Sequence, residues 1–120
     1  MQITITGVHI EVTKAISEYV HQKFEIAKKY VKGDNTARLS VEISKTTEHH
    51  HHGDIYQVSA ILIRKGKEKS LETISDDVYK SIDLMKDKLS RELSDEKDKE
   101  MSLFKRGAQR IKKLVKRNPS

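Results

Sequence analysis

Cysteine is missing from this chain of 120 residues, so no disulfide framework and no thiolate metal site can be built, and a reducing compartment suits it. Long apolar runs are missing too. Nothing in the sequence is long enough to span a bilayer, and the opening MQITITGVHI has no basic n-region, continuous apolar stretch or small-residue cleavage site. It reads as mature cytoplasmic protein with no membrane partner. Catalytic signatures are equally scarce, for there is no nucleophile elbow, no Walker-type phosphate loop and no helix-borne pair of zinc ligands. Carboxylates such as Asp83 with Asp87, or Glu92 with Glu96, are interleaved with lysines at helical spacing, the pattern of a solvated helix face. The expectation is a protein without catalytic residues and without a cofactor.

Histidine is present but does not repair that deficit. His49 to His52 form a run of four that can attract nickel, zinc or copper, yet neighbouring imidazoles on one loop cannot all converge on a single ion. No cysteine or adjacent carboxylate pair completes a site, so no metal site is assigned and the run is read as a polar loop. His9 and His21 have no partners placed for general acid or base work.

Charge is abundant, and its placement is uneven. The formal net charge is +6, but residues 1–100 carry 17 Lys plus Arg against 18 Asp plus Glu, a balance of −1. Residues 101–120 hold 7 basic residues and no acid. Apolar and charged residues each make up 35% of the chain, which suits one small domain with a modest core and much exposed surface. We therefore read a near-neutral α+β domain over residues 1–99 and a basic C-terminal tail over residues 100–120, flexible or helical.

Periodicity supplies the elements. Residues 2–6 alternate and stop at Gly7, a short first strand. Thr13 is placed to cap a helix from Lys14 to about Lys32, with Ile16, Val20, Phe24, Ala27 and Val31 as its buried stripe, and Gly33, Asp34 and Asn35 form a stop signal. Leu39, Val41 and Ile43 alternate with polar residues in a half-buried second strand. Residues 55–63 are rich in β-branched side chains, which predicts a central strand apolar on much of both faces. A tight turn at Lys65-Gly66-Lys67 leads to a fourth strand over residues 68–74, and a second helix follows. The order is β-α-β-β-β-α. A four-stranded sheet is expected, its last three strands an antiparallel meander and its first two strands parallel, with two helices on one face in a two-layer sandwich.

The second helix, SDDVYKSIDLMKDKLSREL, carries two surfaces. Ile74, Val78, Ile82, Met85, Leu89 and Leu93 fall on one apolar arc, while Lys80, Lys88 and Arg91 lie opposite. Ser75 is read as its cap, with Asp76 and Asp77 at the positive end of the helix dipole. Spacing alone favours a solvated surface whose lysines keep the protein soluble. In the tail, LFKRGAQRIKKLVKR places Phe104, Ala108, Ile111, Leu114 and Val115 on one helical side and Arg106, Arg110, Lys113 and Arg117 elsewhere, with Lys112 adding charge. Such a segment suits an anionic membrane, a partner groove or RNA, or a disordered tether that orders on binding.

The opening MQITITGVHIEVTKAISEYVHQKF, the segment DDVYKSIDLMKDKLSREL and the order of elements resemble the short ribosome hibernation-promoting factors, also called ribosome-associated inhibitors. The likeness covers residues 1 to about 99. It is most specific at Asp77, Tyr79, Ile82, Asp83, Asp87, Lys88, Leu89, Arg91, Leu93, Lys97 and Lys99. The resemblance implies a double-stranded-RNA-binding-like sandwich and a translation inhibitor that occupies the tRNA and mRNA cleft of the small ribosomal subunit under stress or in stationary phase. It implies 16S ribosomal RNA as the partner and Lys88, Arg91, Lys97, Lys99 and Lys23 as phosphate contacts, and nothing in the sequence demands more than a monomer when free. Glu92 replaces the family's usual Gln, Asp95 stands where lysine is common, and Ser17 and Ile26 replace basic residues on the first helix. These changes thin the cationic surface, and the basic tail is expected to supply charge in compensation. Two other functions fit the same residues: a general structured-RNA-binding protein, and a regulatory protein-interaction module using the open sheet face or the tail.

Overall fold

A computed structural model describes residues 1–47 and 53–116, with side chains as far as Gly107. The histidine run His49 to His52 lies outside the described residues. Strand β1 is Gln2–Val8, helices α1 and α2 are Lys14–Lys23 and Glu25–Tyr30, strands β2, β3 and β4 are Arg38–Thr47, Asp54–Arg64 and Lys67–Ser75, and helix α3 is Val78–Lys116. The strands lie side by side in the order β1-β2-β3-β4. β1 runs parallel to β2, the consequence of the helical crossover between them, and the other two pairings are antiparallel hairpins. This is a mixed α+β fold whose helices all pack on one face of a four-stranded sheet.

Register decides which residues meet there. Ile3 and Ile5 pair with Leu39 and Val41, which pair in turn with Leu62 and Ala60, so one row of apolar side chains crosses the sheet beneath the helices. Ile16, Val20, Phe24, Ala27 and Val31 come down on it from α1, α2 and the segment behind them, and Val78, Ile82, Met85, Leu89 and Leu93 from α3. All ten are buried, as their 3.6-residue spacing predicts.

Several expectations require correction. Gly7 does not end β1. The strand continues to Val8, and glycine is needed because the chain folds back at residues 9–12, so that a Cβ at position 7 would collide with the Ile10 carbonyl oxygen and with Val12 Cγ2. The first helix is two helices: at Phe24 the backbone relaxes to φ −93° and ψ 5°, and a tightened turn, Ala27 N–H to Phe24 O at 3.1 Å, restarts it as α2. β3 is buried on one face only, through Val58, Ala60 and Leu62, while Ile61 on the other face is exposed. Among the described residues no second layer covers that side, so β-branched composition here reflects strand propensity and not double burial.

The remaining corrections concern α3. Asp77 is its cap, accepting from the Lys80 N–H through Oδ2 at 3.0 Å, while its carbonyl accepts from the Ser81 N–H at 3.0 Å. Ser75 instead ends β4 and reaches Ser81 Oγ at 2.6 Å. Ile74, three residues before the cap, pairs with Gln57 on the uncovered sheet face and is exposed. The helix also passes the expected end at Leu93. It runs as one element of 39 residues, about 58 Å at ~1.5 Å per residue, straight through the boundary at residue 99.

Two turns hold the far end of the domain. Lys65 and Gly66 have φ of 51° and 74°, the left-handed pair that a two-residue hairpin needs. Asp34 accepts from the Thr36 N–H at 2.9 Å and the Thr36 hydroxyl at 2.6 Å through Oδ1, and from the Lys65 N–H at 3.1 Å through Oδ2. The loop before β2 is thus tied to the β3–β4 turn, and these donors hold the Asp34 carboxyl below its ordinary value, the Thr36 hydroxyl contributing most.

Candidate nucleic-acid interface

With its buried arc against the sheet, α3 has three remaining sides, and the candidate cations divide among them. On the side toward α1 and α2, Lys23 approaches Asp83 at 3.7 Å and stands 5.3 Å from the centre of the Tyr19 ring. Lys97 stands 6.0 Å from the centre of the Tyr30 ring, so each of these grooves holds a cation over an aromatic face. On the side along β4, Lys88 donates to the Glu72 carbonyl at 2.7 Å. Lys99 lines a recess of about 370 Å³ with Lys67, Lys69, Glu92 and Asp95. On the outward side, Lys80 and Arg91 are exposed, about 16 Å apart along the axis, and Lys80 makes only a loose contact with Asp76 at 3.8 Å.

These positions carry different electrostatic weight. The Lys88 ammonium satisfies a carbonyl on the free edge of β4, which protects that edge as well as presenting charge. Glu92 pairs with Lys69 at 3.2 Å, so the acid on this side of the helix is partly neutralised from the sheet. Lys80 keeps its charge available, because an exposed i,i+4 pair with Asp76 contributes little. Arg106 is exposed on the helix beyond the sheet, and Arg110, Lys112 and Lys113 lie on the same helix past the last described side chain. The candidates therefore form no single patch. They wrap α3, from the α1 groove to the β4 edge, and follow it outward.

Tyr19 organises the groove between α1 and α3. Its hydroxyl donates to Asp83 Oδ1 at 2.6 Å, and this bond, helped by burial and by the negative charge of Asp83, raises its pKa from 10.0 to about 12. The ring packs edge to face with Tyr79, the centres 4.9 Å apart and the planes at 89°. Asp83 is engaged by both the phenol and Lys23, so the acid in this groove is internally balanced.

Sequence matching places this arrangement. The family model described as Sigma 54 modulation protein / S30EA ribosomal protein matches residues 3–101.

The chain belongs to this family.

The ribosome hibernation promoting factor of Pseudomonas putida is 29% identical over 110 residues, covering 92% of this chain and 100% of that protein. That of Escherichia coli K12 is 34% identical over 99 residues, covering 82% and 96%. A ribosomal subunit interface protein from Coxiella burnetii superposes with a TM-score of 0.66 at 22% identity, covering 82% of this chain and 99% of that one. The N-terminal domain of Thermus thermophilus Protein Y gives 0.63 at 23%, covering 78% and 96%. At these identities the two structures speak for the fold. The S30EA family works by binding and not by catalysis, and this member is no enzyme.

Within the S30EA-family domain lies a second group of cations, of which the sequence alone singles out Lys97. Lys29, Lys32, Arg64, Lys65 and Lys97 meet Asp34 and Glu100 around a recess of about 370 Å³, and Lys28, Lys32 and Arg38 border another of about 420 Å³ beside it. The signal was present in the run from Lys28 to Lys32. Its meaning depended on the break at Phe24 and on the Asp34 tie, which together bring the end of α2 beside the β3–β4 turn. Arg64 is the least exposed of these cations, bonded to Glu96 Oε2 at 2.9 Å and 3.8 Å from Glu100 Oε1. It serves the fold, fastening α3 beyond Leu93 to the end of β3.

Proposed function

We propose that this S30EA-family protein is a cytoplasmic, ribosome-binding translation inhibitor that occupies the tRNA and mRNA cleft of the small subunit and promotes ribosome hibernation under stress or in stationary phase. The observation that carries the reading is the family match over residues 3–101, which takes in the whole sheet, α1, α2 and the part of α3 that packs on them. The geometry supplies a means. Lys23, Lys80, Lys88, Arg91, Lys97 and Lys99 ring the helix layer and contact 16S ribosomal RNA phosphates, while Arg106, Arg110, Lys112 and Lys113 extend the contact along the tail, residues 100–120. Phosphate recognition needs charge and donors without a base code, so a layer of helices on a double-stranded-RNA-binding-like sandwich reads RNA shape. The free protein is a monomer.

Charge reversal on the outward side of α3 tests this. Lys80→Glu with Arg91→Glu is preferred over a change at Lys88, which also guards the β4 edge and would confuse binding with folding. The double variant should keep its unfolding midpoint and lose comigration with small subunits in a gradient at physiological salt. Undiminished comigration would remove the outward side of α3 from the interface, and equal retention of the wild type by unrelated duplex RNA would point to a general RNA-binding protein instead.

A further inference from the structure

Tyr79 is 37% exposed at the start of α3, an aromatic ring left in contact with solvent in a chain with only four tyrosines and no tryptophan. Its neighbours explain its rigidity but not its exposure. Tyr19, anchored by its 2.6 Å bond to Asp83, packs perpendicular to it with centres 4.9 Å apart. In such a contact the edge of one ring meets the face of the other, so Tyr19 covers at most one face of Tyr79. Lys80 follows it directly on the exposed side of α3, and Lys23 stands over the far ring of the pair, 5.3 Å from the centre of Tyr19. The result is a half-open aromatic face, held in place before any partner arrives and bordered by cations.

This is the combination that single-stranded RNA demands. A base offers an apolar π-face that stacks on an aromatic ring, and its phosphates need positive charge a few ångströms away. A ring already fixed by Tyr19 loses little freedom on stacking, which favours affinity. Three acids near the ring oppose a phosphate, and each is engaged: Asp83 by the Tyr19 hydroxyl and Lys23, Asp77 by the Lys80 N–H at 3.0 Å, and Asp76 by the Lys80 ammonium at 3.8 Å. We propose that Tyr79 is a stacking platform for one unpaired RNA base, flanked by phosphate contacts from Lys80 and Lys23. The inference rests on the ribosomal reading above and adds to it a contact with a base in place of a phosphate.

Because the chain has no tryptophan, Tyr79→Trp introduces a single indole reporter at the site. Titrated with purified small subunits, its emission should be strongly quenched as the base stacks. Tyr79→Phe should bind within about twofold of the wild type, whereas Tyr79→Leu should bind about tenfold more weakly. The salt dependence of the Leu variant should keep the wild-type slope, since stacking releases no counterions. Indole emission unchanged at saturation, or Tyr79→Leu at wild-type affinity, would overturn the platform while leaving ribosome binding intact. A wild type that fails to bind small subunits at all would overturn both.

Discussion

Tyr19 joins three elements of the account in one side chain: it is donor to Asp83, edge partner of Tyr79 and aromatic floor beneath Lys23. Its raised pKa has a consequence for stability. A phenol that titrates near 10.0 when unfolded and near 12 when folded favours the folded state fully below pH 10, and the contribution disappears as pH climbs toward 12. Phenolate absorbance followed with pH should therefore show one of the four tyrosines ionising late, and Tyr19→Phe should abolish that late step. A single common transition for all tyrosines would contradict the Asp83 bond. At this scale the sequence was only partly legible. Thr13 was read correctly as a cap, its Oγ1 accepting from the Ile16 N–H at 3.2 Å. Ser75 was not, because Ser75, Asp76 and Asp77 are all competent caps, and only the position at which β4 stops selects Asp77.

Among elements, α3 carries the greatest load. Its buried arc was plain from spacing, since apolar residues recur at three and four positions over about four turns, and Leu89 within it has no exposed surface. Leu89→Ala should cost about 2–5 kcal/mol in denaturant unfolding, whereas Arg91→Glu on the opposite side should change stability by less than about 0.5 kcal/mol. The stretch beyond Leu93 was harder to read, because Glu96, Lys97 and Glu100 break the apolar pattern where the helix continues. Its continuity depends on a tertiary contact that periodicity does not register, the bond from Arg64 at the end of β3 to Glu96. Arg64→Ala should cost about 1–2 kcal/mol, moderated by the partial exposure of Glu96, and should speed amide exchange over residues 96–101 before it affects residues 82–93. Uniform exchange across α3 would deny the Arg64 contact that role. The break at Phe24 had no sequence signal, because the residue sits on the apolar stripe either way and neither glycine nor proline marks it.

For the molecule as a whole, the distribution of charge matters more than its total. A domain balanced at −1 over residues 1–100 can hold a polyanion only where its cations are gathered, and the structure gathers them around the helix layer and the end of α2. The order of elements and the placement of the helices on one sheet face followed from periodicity and short connections. The recess at the end of α2 did not, since residues 28–32 and residues 64–65 meet only through the fold. Removing residues 101–120 should leave the unfolding midpoint unchanged and lower the salt slope of ribosome binding, because the side chains of residues 101–107 are exposed and the tail's charge is all of one sign. An unchanged slope would take the tail out of the interface. The most direct measurement is the affinity of the full chain for purified small ribosomal subunits across a salt series, beside an unrelated A-form duplex. Tight binding to the subunit is expected, with the logarithm of affinity falling by about 0.7–0.9 per phosphate neutralised for each tenfold rise in salt, and weaker binding to the duplex. Equal affinity for both, or none for the subunit, would contradict it.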